Sequence, residues 1–143
     1  MATYVEQATE MMQGLVREQC FLLLMRRSDA PPANPEENAR LRLAHHDYLI
    51  ALERRGMIVG AGPCRDAEGE FDDAFIGLWI VRAKTLAEAE KIAAEEPFVA
   101  AGQRTIDLVP WQRNEGDTTI TLRLAERVLE MDHRRWKISP LDT

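Results

Sequence analysis

Residues 34–56 carry a helix whose two ends are both written into the sequence. Asn34 is a capping residue, Pro35 suits the first helical position, and Glu36 and Glu37 fall where the helix dipole favours acids. Glu37 is also placed to reach back to the cap. Gly56 suits the left-handed position just past the end. The inner stripe reads Leu41, Ala44, His45, Tyr48 and Leu52, with Glu36, Arg40, Asp47, Arg54 and Arg55 on the outer face. Such a helix needs an apolar layer beneath it, and strand-like segments flank it on both sides. Cys20 to Met25 is a continuous apolar run, as a central strand covered on both faces shows. Arg26 to Ala33, opened by Pro31 and Pro32, is a loop.

Met57 to Pro63 reads as a second strand, which Pro63 restricts to an edge, a strand end or a bulge. Arg65 to Asp73 is a polar hairpin loop around Gly69, and Ala74 to Val81 is the strongest strand pattern in the chain. Thr85 and Glu88 form a capping box that opens a second helix, which runs to about Glu95 and ends at Pro97. Gln103 to Val109 is the last core strand. The order strand, helix, strand, strand, helix, strand is the ferredoxin-like split βαβ arrangement (β-α-β-β-α-β), an α+β fold with an antiparallel sheet and two helices on one face. The other sheet face stays apolar and needs a cover, so a homodimer is expected. Ahead of this domain, Tyr4 to Glu18 has helical spacing. Behind it, Thr118 to Leu124 alternates as a strand does, while Leu124 to Trp136 is expected to be irregular or short helical structure.

The 143 residues suit one domain, and the 45% apolar fraction excludes global disorder. A net charge of −6 without a dominant Lys/Arg cluster argues against nucleic acid as a partner. The longest apolar run is too short to span a bilayer, and the N-terminus lacks a basic, signal-type start. The expected location is therefore the cytoplasm. There, Cys20 and Cys64 read as buried small hydrophobes.

Chemistry concentrates on two segments. His45 sits on the inner stripe of the long helix, and Glu96 sits beside Glu95 at the end of the second helix. Two adjacent acids at a helix C-terminus oppose the dipole by ~0.3–1 kcal/mol, which points to a partner such as His45 or an arginine. The residues alone leave two readings of His45 open: a general base or acid oriented by a carboxylate, or a core histidine satisfied by a backbone carbonyl or by Tyr48. Tyr48, Trp79, Phe98 and Phe75 are candidates for an apolar pocket lining, and each reads equally as core packing. Arg26, Arg27 and Arg42 are candidates for holding a substrate carboxylate, or else are solvated surface charges. His45 and His46 are adjacent and His133 is remote, so no metal site is expected.

The ordered set formed by Phe21 to Met25, His45-x-x-Tyr48-Leu49, Gly56, Gly62-Pro63, Glu96-Pro97-Phe98, Gly102 and Pro110-Trp111 resembles the YCII-related (YciI-like) family. The resemblance implies a ferredoxin-like dimeric α+β barrel over residues 20–113, with residues 1–19 an N-terminal helical extension and residues 114–143 a C-terminal extension. It implies a His–carboxylate site in which the family histidine falls on His45 and the family aspartate on Glu96, one methylene longer. Substrate contacts are expected from Tyr48, Trp79, Phe98, Pro63 and Arg26, with no cofactor. The implied chemistry is that of a lyase or isomerase, a dehydrochlorinase-like elimination or proton transfer on a small lactone or carboxylated ring. A non-catalytic ligand-binding or protein-interaction module of the same fold is the alternative.

Overall fold

The computed structural model describes every residue except 73, 118, 119, 132, 133 and 138–143. The expectations placed on Asp73, Thr118, Thr119 and His133 lie outside the described residues. The chain begins with α1 (Tyr4–Gln13), then β1 (Glu18–Arg27), α2 (Pro35–Arg54), β2 (Ile58–Gly62) and β3 (Gly77–Val81). It continues through α3 (Leu86–Glu95), α4 (Pro97–Ala100) and β4 (Arg104–Arg113), and closes with β5 (Ile120–Arg123), β6 (Val128–Met131) and β7 (Arg134–Lys137). It divides into two compact units, residues 17–113 and residues 1–16 with 114–143.

In the unit 17–113 the sheet order is β2-β3-β1-β4, with every neighbouring pair antiparallel. This is the ferredoxin-like α+β topology. β1 lies inside the sheet, which explains its unbroken apolar run, and β2 lies at an edge, which tolerates Pro63 just beyond it. Side chains alternate across the sheet. Phe21, Leu23 and Met25 of β1 join Trp79 and Val81 of β3 in the core, beneath Leu52 of α2 and Ala89 and Ile92 of α3. Burying an aliphatic or aromatic side chain of this kind contributes roughly 1.5–3 kcal/mol. On the opposite face Leu22, Leu24, Leu78 and Ile80 are only half-buried and Val109 is exposed.

The helix ends follow local chemistry. The Glu37 N–H donates to Asn34 Oδ1 at 2.9 Å, Pro35 occupies the first turn, and Gly56 takes φ +72° beyond the end. The Glu37 side chain does not return to the cap; its carboxylate lies 4.0 Å from Arg40. On α2, Leu41 and Leu52 are buried and His45 and Tyr48 half-buried, whereas Ala44 is exposed. At α3 the Glu88 N–H donates to Thr85 Oγ1, and the Glu88 carboxylate accepts from the N–H of Lys84, one residue ahead of the cap.

Several expectations are revised. α1 stops at Gln13 rather than Glu18, because Gly14 caps it and Glu18 already belongs to β1, where it pairs with Arg82 and Arg113. β3 begins at Gly77 rather than Ala74, because the Asp72 carboxylate accepts the N–H groups of Ala74 and Phe75 and holds them in a turn. Pro97 ends α3 but also opens α4, at the first-turn position proline favours. The strand expected before Leu124 is β5; after Leu124, the expected irregular or helical structure is replaced by β6 and β7, which join β5 in a three-stranded antiparallel sheet.

Candidate functional site

Glu96 joins α3 to α4. Its backbone is extended, φ −60° and ψ 125°, so it both ends the first helix and caps the second. Pro97 has no N–H to satisfy, and the Val99 N–H donates to Glu96 Oε2 at 2.9 Å. The other oxygen, Oε1, lies 2.7 Å from His45 Nδ1. Glu96 is the buried charged residue among the described residues, with 0% exposure. Burial pushes its carboxyl up, but the hydrogen bond from His45 and the backbone N–H groups of Phe98 and Val99 outweigh it and leave the group below the ordinary carboxylate range. Glu96 is thus an anion at neutral pH, and His45 Nδ1–H is the donor. In the tautomer that this bond selects, the lone pair is on Nε2.

The imidazole is also held by rings. Its centroid lies 5.5 Å from that of Trp79 and 5.7 Å from that of Phe98, the latter edge-on. An open pocket of about 290 Å³ has His45, Trp79, Phe98, Pro63, Arg42 and Arg104 among its walls. That is near the lower end of small-ligand sites, ~300–1,000 Å³. His46, exposed on α2, reaches its rim.

Five residues singled out in the sequence, together with Glu96, therefore come together: His45, Trp79, Phe98, Pro63 and Arg42. Tyr48 and Arg26 do not line the pocket. The Tyr48 hydroxyl donates to the Ile92 carbonyl at 3.0 Å, tying α2 to α3, and burial pushes its pKa up to about 12. Arg26 points from the opposite sheet face, bonding Asp107 at 2.8 Å and the Ala74 carbonyl at 2.9 Å, with its guanidinium 3.9 Å from the Phe75 ring centroid. Phe75 is likewise no part of the pocket wall. Among the described residues no group of three His, Cys, Asp or Glu side chains is placed to hold a metal ion.

Sequence reasoning missed Arg104, whose guanidinium stacks 3.8 Å from the Phe98 ring centroid. The signal was present: Arg104 is in phase with Ile106 and Leu108, both packed against the core, so alternation aims it at the same face. It missed the second role of Glu96 as well, because Pro97 was read as a stop alone.

The model of the YCII-related domain family matches residues 20–112, well over half of the chain. The chain belongs to the YCII-related domain family. No curated protein matches it. Among solved structures it is similar to a 5-chloro-2-hydroxyhydroquinone dehydrochlorinase from Burkholderia phenoliruptrix AC1100 in complex with 2,5-dihydroxybenzoquinone. That protein is 24% identical with a TM-score of 0.48, over 64% of this chain and 92% of that one. Among the described residues no helix is long and apolar enough to cross a membrane.

Proposed function

We propose that this YCII-family chain is a lyase or isomerase that moves a proton on a small lactone or carboxylated ring with the His45–Glu96 pair. The observation that carries the reading is the 2.7 Å bond between His45 Nδ1 and the wholly buried Glu96 carboxylate, on the wall of an aromatic pocket. A buried carboxylate that accepts from both the ring and a helix N-terminus is costly to place for packing alone.

In this reading Nε2 takes a proton from a ring carbon next to a carbonyl, and Glu96 stabilises the imidazolium that forms. For elimination, the C–H electron pair becomes a double bond, and a leaving group such as chloride departs with its own bonding pair. For isomerisation, the imidazolium returns the proton to another carbon. The extra methylene of glutamate is compatible with this role, since the carboxylate reaches the ring at full hydrogen-bonding contact.

The test is His45→Gln on any lactone or halogenated ring acid that the wild type turns over. A rate loss of ~10²–10⁴-fold is expected, the usual worth of general acid–base catalysis. Unchanged turnover sinks the proposal, and ligand-induced thermal stabilisation without turnover across such a panel makes the protein a binding module instead. A homodimer is part of the same reading, supported by the apolar outer sheet face, where Leu24 and Ile80 are half-buried and Val109 is exposed.

A further inference from the structure

Next to the His45 pocket lies a second cavity of about 170 Å³, bordered by Arg27, Arg42 and Arg104 together with Asn38 and Gln103. Arg42, Phe98 and Arg104 belong to the walls of both cavities, so the two adjoin.

The placement of the arginines is unfavourable without a ligand. Arg27 and Arg104 stand directly opposite one another in the β1–β4 ladder. Directly opposed like charges on one sheet face destabilise the pair. Among the described residues, no carboxylate lies within ion-pair distance of Arg27, Arg42 or Arg104. One residue away, on the other face of the same two strands, the chain solves the same problem differently: Arg26 is matched by Asp107 at 2.8 Å. Burial lowers the Arg104 pKa; Glu96 opposes this, while the Arg42 and Arg27 charges add to it. Glu96 is itself occupied by His45 and Val99.

Two of the three guanidinium groups are held in place. Arg104 is stacked on Phe98, and Arg42 Nε donates to Asn38 Oδ1 at 3.4 Å. The adjoining loop is tied down too: Gln103 accepts the Ala33 N–H at 3.0 Å and donates to the Pro31 carbonyl at 3.1 Å. Oriented guanidinium forks match the geometry of a carboxylate.

We propose that Arg27, Arg42 and Arg104 form a carboxylate-binding subsite beside the His45 pocket, so that the preferred ligand is a ring acid rather than a neutral lactone. The inference deepens the functional reading above and rests on it for the position of the ring: the ring lies against Trp79 and Phe98, and its carboxylate enters the arginine cavity. This assigns to the three arginines the choice of substrate class, and leaves proton transfer to His45.

The test is direct binding, followed by backbone amide shifts of the isotopically labelled full chain titrated with benzoate and with its neutral isostere benzamide. Benzoate is expected to bind ~10-fold or more tightly than benzamide, as a charge-assisted bond allows. Arg42→Gln and Arg104→Gln are each expected to remove that preference. Arg42 is exposed, so Arg42→Gln reads the subsite even if Arg104→Gln fails to fold. His45→Gln is expected to keep the preference, so failure of the proton-transfer reading leaves this test intact. Equal binding of the two probes, or no binding of either, overturns the subsite. So does full benzoate affinity in Arg42→Gln, or displacement of benzoate by equimolar inorganic phosphate.

Discussion

Glu96→Gln changes one oxygen to an amide nitrogen and removes a charge with almost no change in shape. In the wild type Oε2 accepts from the Val99 N–H at 2.9 Å and Oε1 faces His45 Nδ1 at 2.7 Å, so both partners are donors to an anion. An amide offers one acceptor and one donor. Keeping its oxygen on Val99 turns the NH₂ toward His45 Nδ1, which must then become the acceptor. The ring proton moves to Nε2, and the nitrogen proposed as the base becomes a donor. Two consequences follow. Replacing a charge-assisted bond at a site with 0% exposure costs about 1.5–3 kcal/mol of stability. The rate of any proton transfer through Nε2 falls ~10²–10⁴-fold. Nitrogen chemical shifts of the labelled imidazole report the tautomer directly, and urea denaturation reports stability. The pH dependence separates charge from packing. Because the Glu96 carboxyl titrates below its ordinary range when folded, the folded state binds fewer protons than the unfolded chain in that window. Its contribution is complete above the unfolded pKa and is lost as pH falls through the folded one, whereas Glu96→Gln has no such acid limb. A variant that keeps the Nδ1–H tautomer and the wild-type acid limb refutes the reasoning.

Tyr48→Phe is expected to cost about 0.5–1.5 kcal/mol through loss of the bond to Ile92, with ligand binding unchanged because Tyr48 does not line the pocket. Since burial raises the Tyr48 pKa from 10.0 to about 12, wild-type stability falls as pH climbs through that window, and alkaline denaturation of Tyr48→Phe should lack this limb. Val109→Glu places a charge at an exposed position of the outer sheet face and is expected to yield a folded monomer where the wild type sediments as a dimer; a wild-type monomer would sink the dimer reading. Asn34→Ala removes the α2 cap and should lower stability by ~1 kcal/mol in thermal unfolding, with ligand binding retained.

The ferredoxin-like order was legible because its signals are local. Asn34-Pro35 and Gly56 bound α2 without any knowledge of the rest of the chain, and the apolar run from Cys20 to Met25 announces a strand inside the sheet. The errors arose where one particular side chain or a partner strand decides the backbone. Ala74 and Phe75 satisfy strand propensity, yet the Asp72 carboxylate takes their N–H groups first. Glu18 fits a helix pattern, yet Arg82 and Arg113, both distant in sequence, fix it at the start of β1. The residues after Leu124 carry helical spacing, but antiparallel pairing between β5, β6 and β7 overrides it. The helix dipole asked for a partner to Glu96 without choosing between His45 and an arginine, and resemblance to a family singled out His45, because no local rule connects residues so far apart in sequence.

The break between α3 and α4 shows why the pair has the geometry it does. A carboxylate in the middle of a helix would have only side chains to hold it. At Glu96 the helix ends, the next begins at Pro97, and the N–H groups of the new first turn face the carboxylate. One oxygen is thereby fixed on backbone, so the other can point in only a narrow range of directions, and His45 lies within it. Phe98, in the same short helix, supplies one of the two rings that confine the imidazole and the surface on which Arg104 lies. Three features, the held imidazole, the aromatic pocket wall and the stacked guanidinium, thus depend on one four-residue turn. A change that shifted this turn, such as Pro97→Gly, would disturb all three together. Glu96→Gln and Arg104→Gln, by contrast, each act on one of them.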